Sequence, residues 1–303
     1  MFIIVPSAGV GHNCGMATIL LTGASGNVTG ATIRALKGQG HRLIGLVRDP
    51  GKAKGLEGLG VELKVGDLEK LRSIESAFEG IDVAFLCTSP GFLAPAMLSN
   101  ALWAARRGGA KHIVRLSAVG ATHDAPSLNG RLHALSDAEV RGSGLAFTIL
   151  KPHFFMQNLM MAAGSVKEQG AMYLALGDAK LPMIDVRDVG AAAARVLADP
   201  APHAGKTYTL TGAPVSLAQV AAAIGEALGK PVKYVPVPVA SAVESITKMG
   251  MDEYAQVSLR DYFTAYSSGW QSEPTTAIKD LTGAAPRSIA DFAREFAGAF
   301  GGK

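Results

Sequence analysis

The chain has 303 residues, 48% of them hydrophobic and 18% charged, with 29 Lys and Arg against 25 Asp and Glu. That balance excludes wholesale disorder, and a chain of this length buries a large core without disulfide or metal staples. The basic residues are scattered and only 6% of residues are aromatic, so neither a basic nucleic-acid arm nor a base-stacking surface is expected.

Two cysteines, Cys14 and Cys87, make no disulfide framework, and no Cys/His spacing resembles a zinc site. Reduced thiols point to the cytoplasm. No apolar run reaches the ~18 residues of a membrane span. No Lys or Arg precedes Arg34, so a secretory leader is not expected either. The first strand-like run opens at Met16 (MATILLTGASG), and residues 1–15 read as a dispensable upstream extension.

From Met16 the chain alternates. Apolar runs at 18–22, 42–47, 61–65, 83–87, 112–117 and 146–150 are continuous, as in parallel strands buried on both faces. Between them lie helical patterns at 26–37, 69–78, 93–107 and 132–141, with Gly38, Gly80, Gly108 and Gly142 as stops. This rhythm predicts an α/β fold with a doubly wound parallel Rossmann-type sheet. After Leu150 it changes. A Met/Phe-rich helix is expected over 153–169, followed by an Ala-rich helix over 185–197 capped by Asp185. A strand at 206–210, a helix at 216–228, a strand at 232–236 and a mostly helical tail complete the chain. The expected division is a dinucleotide-binding core of 16–152, completed by 183–199, under a small mixed substrate-side cap of 153–182 and 200–303.

The TGASGNVTG turn (22–30) follows the first strand and opens the first helix. Gly23 permits the tight turn, Gly26 lets backbone approach a pyrophosphate, and the helix N-terminus offers free N–H groups. A third glycine is wanted at position 29, where this chain has Thr29, so close helix–sheet packing is the feature in question. The second strand ends at Val47-Arg48-Asp49. The fork of Arg48 suits a 2′-phosphate and predicts NADP, while the adjacent Asp49 keeps NAD open. Asp67, at the end of the third strand, is placed to accept from the adenine amino group or to cap the next helix. Thr88 and Ser89 after the fourth strand, and Ser117 after the fifth, fall where ribose and nicotinamide belong. Cys87 reads as a packing thiol rather than a nucleophile.

The chain resembles the NmrA-like branch of the atypical short-chain dehydrogenase/reductases, in its group of type 2 NAD(P)H:quinone oxidoreductases and triphenylmethane reductases. The resemblance runs from Met16 to about Val237. Besides the glycine turn it rests on LVRDP (46–50), GDLEKLRSIESAFEGID (66–82), AKHIVRLSAVGA (110–121), GLAFTILKPHFFMQN (144–158), IDVRDVG (184–190) and GKTYTLTG (205–212). It implies cofactor binding by Gly23, Ser25, Gly26, Asn27, Val28, Arg48, Asp67 and the loops at Thr88 and Ser117. It also implies a substrate cleft at 152–155, with Pro152 against the cofactor and His153, Phe154 and Phe155 on the substrate side.

The chain departs from the family's ketone reducers at the catalytic helix. Where those enzymes carry Tyr-x-x-x-Lys, this helix has His133 and Asp137. At i, i+4 spacing the two can share a face, where a carboxylate would favour protonated histidine; the alternative is a polar helix face with no catalytic task. Reducing a simple ketone develops an alkoxide that needs a placed acid, whereas a quinone gives a delocalised anion that water protonates. The expected function is therefore NAD(P)H-dependent hydride transfer to a quinone-like or conjugated small-molecule acceptor, in a soluble protein that can form a homodimer. The alternative is a non-catalytic NAD(P)-sensing regulator that binds a protein partner.

Overall fold

The structure, a computed structural model, describes residues 16–302. The extension 1–15, with Cys14, lies outside the described residues.

Five strands alternate with helices in the first half: β1 (Thr18–Thr22), α1 (Asn27–Leu36), β2 (Arg42–Val47), β3 (Val61–Val65), α2 (Leu71–Ile74), β4 (Val83–Leu86), α3 (Ala94–Gly108) and β5 (His112–Leu116). Then come α4 (Leu128–Gly142), β6 (Ala146–Pro152), α5 (Ala163–Gln169), β7 (Ala171–Leu174), α6 (Val186–Ala198) and β8 (Thr207–Leu210). The remainder is α7 (Leu217–Leu228), β9 (Lys233–Pro236), α8 (Val239–Lys248), α9 (Glu253–Ser267), α10 (Ala277–Thr282) and α11 (Ile289–Glu295).

The main sheet has seven parallel strands in the order β3-β2-β1-β4-β5-β6-β8. The doubly wound architecture follows from the two-residue period of its strands. Ile19 and Leu21 of β1 face one layer, where Ile33 of α1 and Val189 and Ala193 of α6 pack; Leu20 faces the other, with Leu98 and Ala101 of α3. The expectation of burial on both faces fails at β3, the sheet's edge. Leu63 and Val65 are exposed there, and Glu62 pairs with Arg42 of the neighbouring strand.

The cap is built on a core of its own. β7 and β9 form a two-stranded parallel sheet, and Met156, Met172, Leu217, Phe263 and Phe292 pack together beside it. The helix expected over 153–169 is a 3-10 segment, Met156–Ala162, running into α5. The expected boundary also shifts. β8, placed in the cap by the sequence rhythm, pairs with β6 in the main sheet, and Ile278 and Leu281 of α10 belong to the main core. Asp188 in α6 accepts from the backbone N–H of Arg287 at 2.7 Å and pairs with its guanidinium, tying the tail to the core.

Thr29 answers the question raised by the missing glycine. It is fully buried, and its hydroxyl donates to the Thr22 carbonyl at 3.0 Å, so α1 is stapled to β1 by a hydrogen bond. The close approach is made instead by Gly190 of α6, where a Cβ would meet Ala31 of α1 at 2.7 Å.

Candidate active site

The sheet reverses its winding between β1 and β4, and the crevice beyond the carboxyl ends of strands at such a reversal is where these sheets bind ligands. Thr22 holds the crevice's two lips together. Its hydroxyl donates to the Cys87 carbonyl and accepts from the Cys87 N–H, each at 2.8 Å. Two cavities meet there and share Gly26, Cys87, Thr88 and Pro90.

The outer cavity, about 640 Å3, is lined by Gly23, Ser25, Arg48, Asp67 and Ser89. Gly23 turns the chain at φ +62°, and a Cβ there would press on the Cys87 carbonyl at 3.3 Å. No side chain caps the N-terminus of α1, which leaves its first-turn N–H groups for an anion. Lys52 stands beside Arg48 in the same cavity; the sequence reading missed it. Asp49 is occupied elsewhere, accepting from the Gly51 N–H at 2.8 Å as cap of the turn Pro50–Leu56. Asp67 does not cap the next helix as expected, since the N-cap of α2 is Lys70, with no side-chain bond; Asp67 accepts from the Glu69 N–H at 3.1 Å in the turn before it. Two cations and a capping aspartate suit a phosphorylated ribose better than a free 2′-hydroxyl. The donor set therefore fits a nicotinamide dinucleotide phosphate.

The inner cavity, about 440 Å3, continues from Asn27 and Val28 to Ser117, His133, Pro152, His153, Phe154 and Phe155. Its far wall comes from α9, far beyond α4 in the chain and unforeseen in the sequence. Asn129 donates to the Tyr262 hydroxyl and accepts from that of Tyr254, while the Leu128 N–H donates to Asp261 at 2.9 Å. These contacts hold Tyr262 and Tyr266 over the cavity, stacked 5.4 Å apart with rings 4° from parallel. Phe154 meets Tyr266 edge-on. The result is a cavity with one aromatic wall.

Apart from Arg115, its titratable groups are held neutral. Burial pushes Tyr262 up to about 12, against its hydrogen bond from Asn129, and burial raises the Cys87 thiol. Burial pushes His153 down to about 4, opposed by the nearby Gln271 backbone. Neither ring nitrogen of His153 has a hydrogen-bond partner among the described residues.

The expected pairing of His133 with Asp137 does not form. Asp137 turns the other way, into the α4–β6 layer. It accepts from the Ser117 hydroxyl at 2.9 Å and faces the Lys151 ammonium at 3.1 Å, and it lines neither cavity. The neighbour of His133 is Arg115, whose guanidinium lies 3.2 Å from Nδ1. Burial, then Arg115, then Lys151 push His133 down to about 3. The ring is thus neutral, the reverse of the protonated state that a carboxylate partner would have favoured.

Fold and cleft define an α/β dinucleotide-binding protein whose second cavity has an aromatic wall. The sequence model of the NmrA-like family matches residues 16–284, and the chain belongs to that family. The NAD(P)H azoreductase of Xenophilus azovorans is 34% identical over 93% of this chain and 99% of its own. Quinone oxidoreductase 2 of Escherichia coli is 27% identical over 90% of this chain and 96% of its own. The solved NADPH complex of that Escherichia coli quinone oxidoreductase superposes with a TM-score of 0.81 at 26% identity, covering 92% of this chain and 99% of the other. Among the described residues no helix is long and apolar enough to cross a membrane.

Proposed function

We propose that this chain transfers a hydride from NADPH to a quinone-like or conjugated acceptor lying against the aromatic wall of the inner cavity. That it is an oxidoreductase using NADP(H) rests on its family and on relatives named as NAD(P)H azoreductase and quinone oxidoreductase. The observation that carries the choice of acceptor is the inner cavity itself. It has one aromatic wall, where Tyr262 and Tyr266 stack on each other beside Phe154, opens onto the cofactor groove, and contains no group poised as an acid at neutral pH.

The residues divide the work along the groove. Arg48 and Lys52 hold the 2′-phosphate, and the first-turn amides of α1 hold the pyrophosphate. Thr88, Ser117 and Pro152 wall the ribose and nicotinamide. Bound NADPH supplies the hydride. Phe154, Tyr262 and Tyr266 give the acceptor an aromatic wall to lie against and exclude water, which fixes the distance and face of attack. His133 gives the acceptor oxygen a neutral N–H, and His153 presents a ring nitrogen with no protein partner. Two electrons and one hydrogen reach the acceptor this way; water supplies the second proton to the delocalised anion. A simple ketone would need an acid that this cavity lacks. The proposed setting is the reducing cytoplasm, where Cys87 stays a free thiol.

The test is NADPH consumption against matched acceptors. Quinones and conjugated dyes should be reduced with one NADPH per two-electron equivalent, and saturated aliphatic ketones should not react. Tight NADPH binding with no turnover on any acceptor would instead favour a cofactor-sensing regulator.

A further inference from the structure

The floor of the inner cavity holds a cation that the reaction just described does not use. Arg115, in the middle of the main sheet on β5, is 1% exposed. Its guanidinium makes two hydrogen-bond contacts, to the Leu86 carbonyl at 3.3 Å and to His133 Nδ1 at 3.2 Å, and its Nε has no partner. Burying a guanidinium with so few acceptors is costly; the charge of Asp137 offsets part of that cost, but the hydrogen-bonding edge that reaches the cavity is turned to His133.

The chemistry of that contact supplies a reason for the arginine. A guanidinium has five N–H donors and no acceptor, and it keeps its proton in proteins. His133 Nδ1 must therefore present a bare lone pair, so the proton of the neutral ring sits on Nε2. Ring geometry places Nε2 on the side away from Arg115, and His133 lines the cavity. We infer that Arg115 is a positioning residue, fixing His133 in the single tautomer whose Nε2–H is offered to the acceptor oxygen. The inference rests on the reading of His133 as the group that meets the acceptor. It replaces an acid with a fixed neutral donor, whose strength does not change across the neutral pH range.

The surroundings of the ring agree. Lys151 on β6 is a second cation that disfavours imidazolium. Asp137, the nearest carboxylate on α4, is engaged by Ser117 and Lys151. Cys87, His153, Tyr262 and Tyr266, the other titratable groups of the cavity, are held neutral by burial.

The test is nitrogen-15 NMR of histidine-labelled full-length protein with NADP+ bound, the His133 signals being identified by their loss in His133→Gln. The ring should be neutral and in the Nε2–H form from pH 8 down to pH 5. In Arg115→Met it should become a tautomer mixture. Turnover of NADPH with 1,4-naphthoquinone should fall about 10-fold, as for loss of one oriented hydrogen bond, with KM for NADPH unchanged. A purely structural Arg115 would change thermal stability but not the tautomer. An Nδ1–H or cationic ring in the native protein at pH 7 overturns the inference, and so does an Arg115→Met protein with tautomer and turnover unchanged. Should Arg115→Met not fold, the native spectrum decides alone. A protein that shows the Nε2–H ring but reduces no acceptor keeps Arg115's effect and removes the proposed reaction.

Discussion

Ser117, at the carboxyl end of β5, gives its hydroxyl hydrogen to Asp137 Oδ2 at 2.9 Å. The hydroxyl's one donor is thereby turned away from the cavity, and Lys151 closes on the same carboxylate at 3.1 Å. Both charged side chains are largely buried, so this is a desolvated pair in which each member depends on the other. Asp137→Ala strands Lys151 and should destabilise the protein by about 3 kcal/mol, read as a shift in the urea midpoint. Ser117→Ala should lower turnover by less than about 10-fold, because its proton is not directed at the acceptor. A loss beyond 100-fold would show that Ser117 donates to the acceptor after all.

On the proposed reading, cofactor choice lies with Arg48 and Lys52, which line the outer cavity together. Arg48→Ala should weaken NADPH by roughly 10–100-fold, the range of a lost charge-assisted hydrogen bond to phosphate, and Lys52→Ala by somewhat less. NADH affinity should hardly change. Titration of both cofactors into each variant measures this directly. Equal losses for NADH and NADPH would move Arg48 from the 2′-phosphate to the adenine.

The buried histidines make the fold acid-sensitive. His133 is lowered to about 3, and His112 and His153 to about 4, chiefly by burial. Each is neutral when folded and takes up a proton on unfolding once the pH is below the ordinary value near 6.5. Their contribution is therefore complete above pH 6.5 and declines as pH falls toward 4 or 3. The slope approaches about 1.4 kcal/mol per pH unit for each histidine. Urea midpoints between pH 7.5 and 4.5 should drop steeply below 6.5. A flat profile there would mean that these rings are protonated in the folded state.

Gly190 sets the distance between α6 and α1. Gly190→Ala puts a methyl 2.7 Å from Ala31, and overpacking of this kind costs about 1–3 kcal/mol. With the first-turn amides of α1 as the proposed pyrophosphate site, NADPH affinity should fall together with thermal stability. A stable variant with unchanged affinity would show that α1 gives way without moving its N-terminus.

The parts legible in the sequence were local. Gly23 and Gly26 declare themselves by lying between a strand and a helix, and Arg48 by ending the second strand. The start of α4 is marked by its cap, Ser127, whose hydroxyl accepts from the Gly130 N–H; the helix pattern alone begins four residues later, at Leu132. What was not legible depends on distant contacts. Tyr262 reaches the cavity only because Asn129, 133 residues earlier, binds its hydroxyl. The pairing of β8 with β6 crosses 58 residues at Ile149 and Thr207. The i, i+4 spacing of His133 and Asp137 suggested partners, but Arg115 and Lys151, from neighbouring strands, outcompete it. Helical spacing brings two side chains near each other without saying what else lies nearer.

The central claim is direct hydride transfer from NADPH to a planar acceptor, and isotope transfer tests it most directly. NADPH deuterated on one or the other face of nicotinamide C4 is incubated with the protein and 1,4-naphthoquinone under anaerobic conditions. The account predicts that deuterium is lost from one face only and that the rate shows a primary isotope effect, with hydroquinone formed in equal amount to NADP+. Loss from both faces alike, or no consumption of NADPH while the cofactor is demonstrably bound, would contradict it.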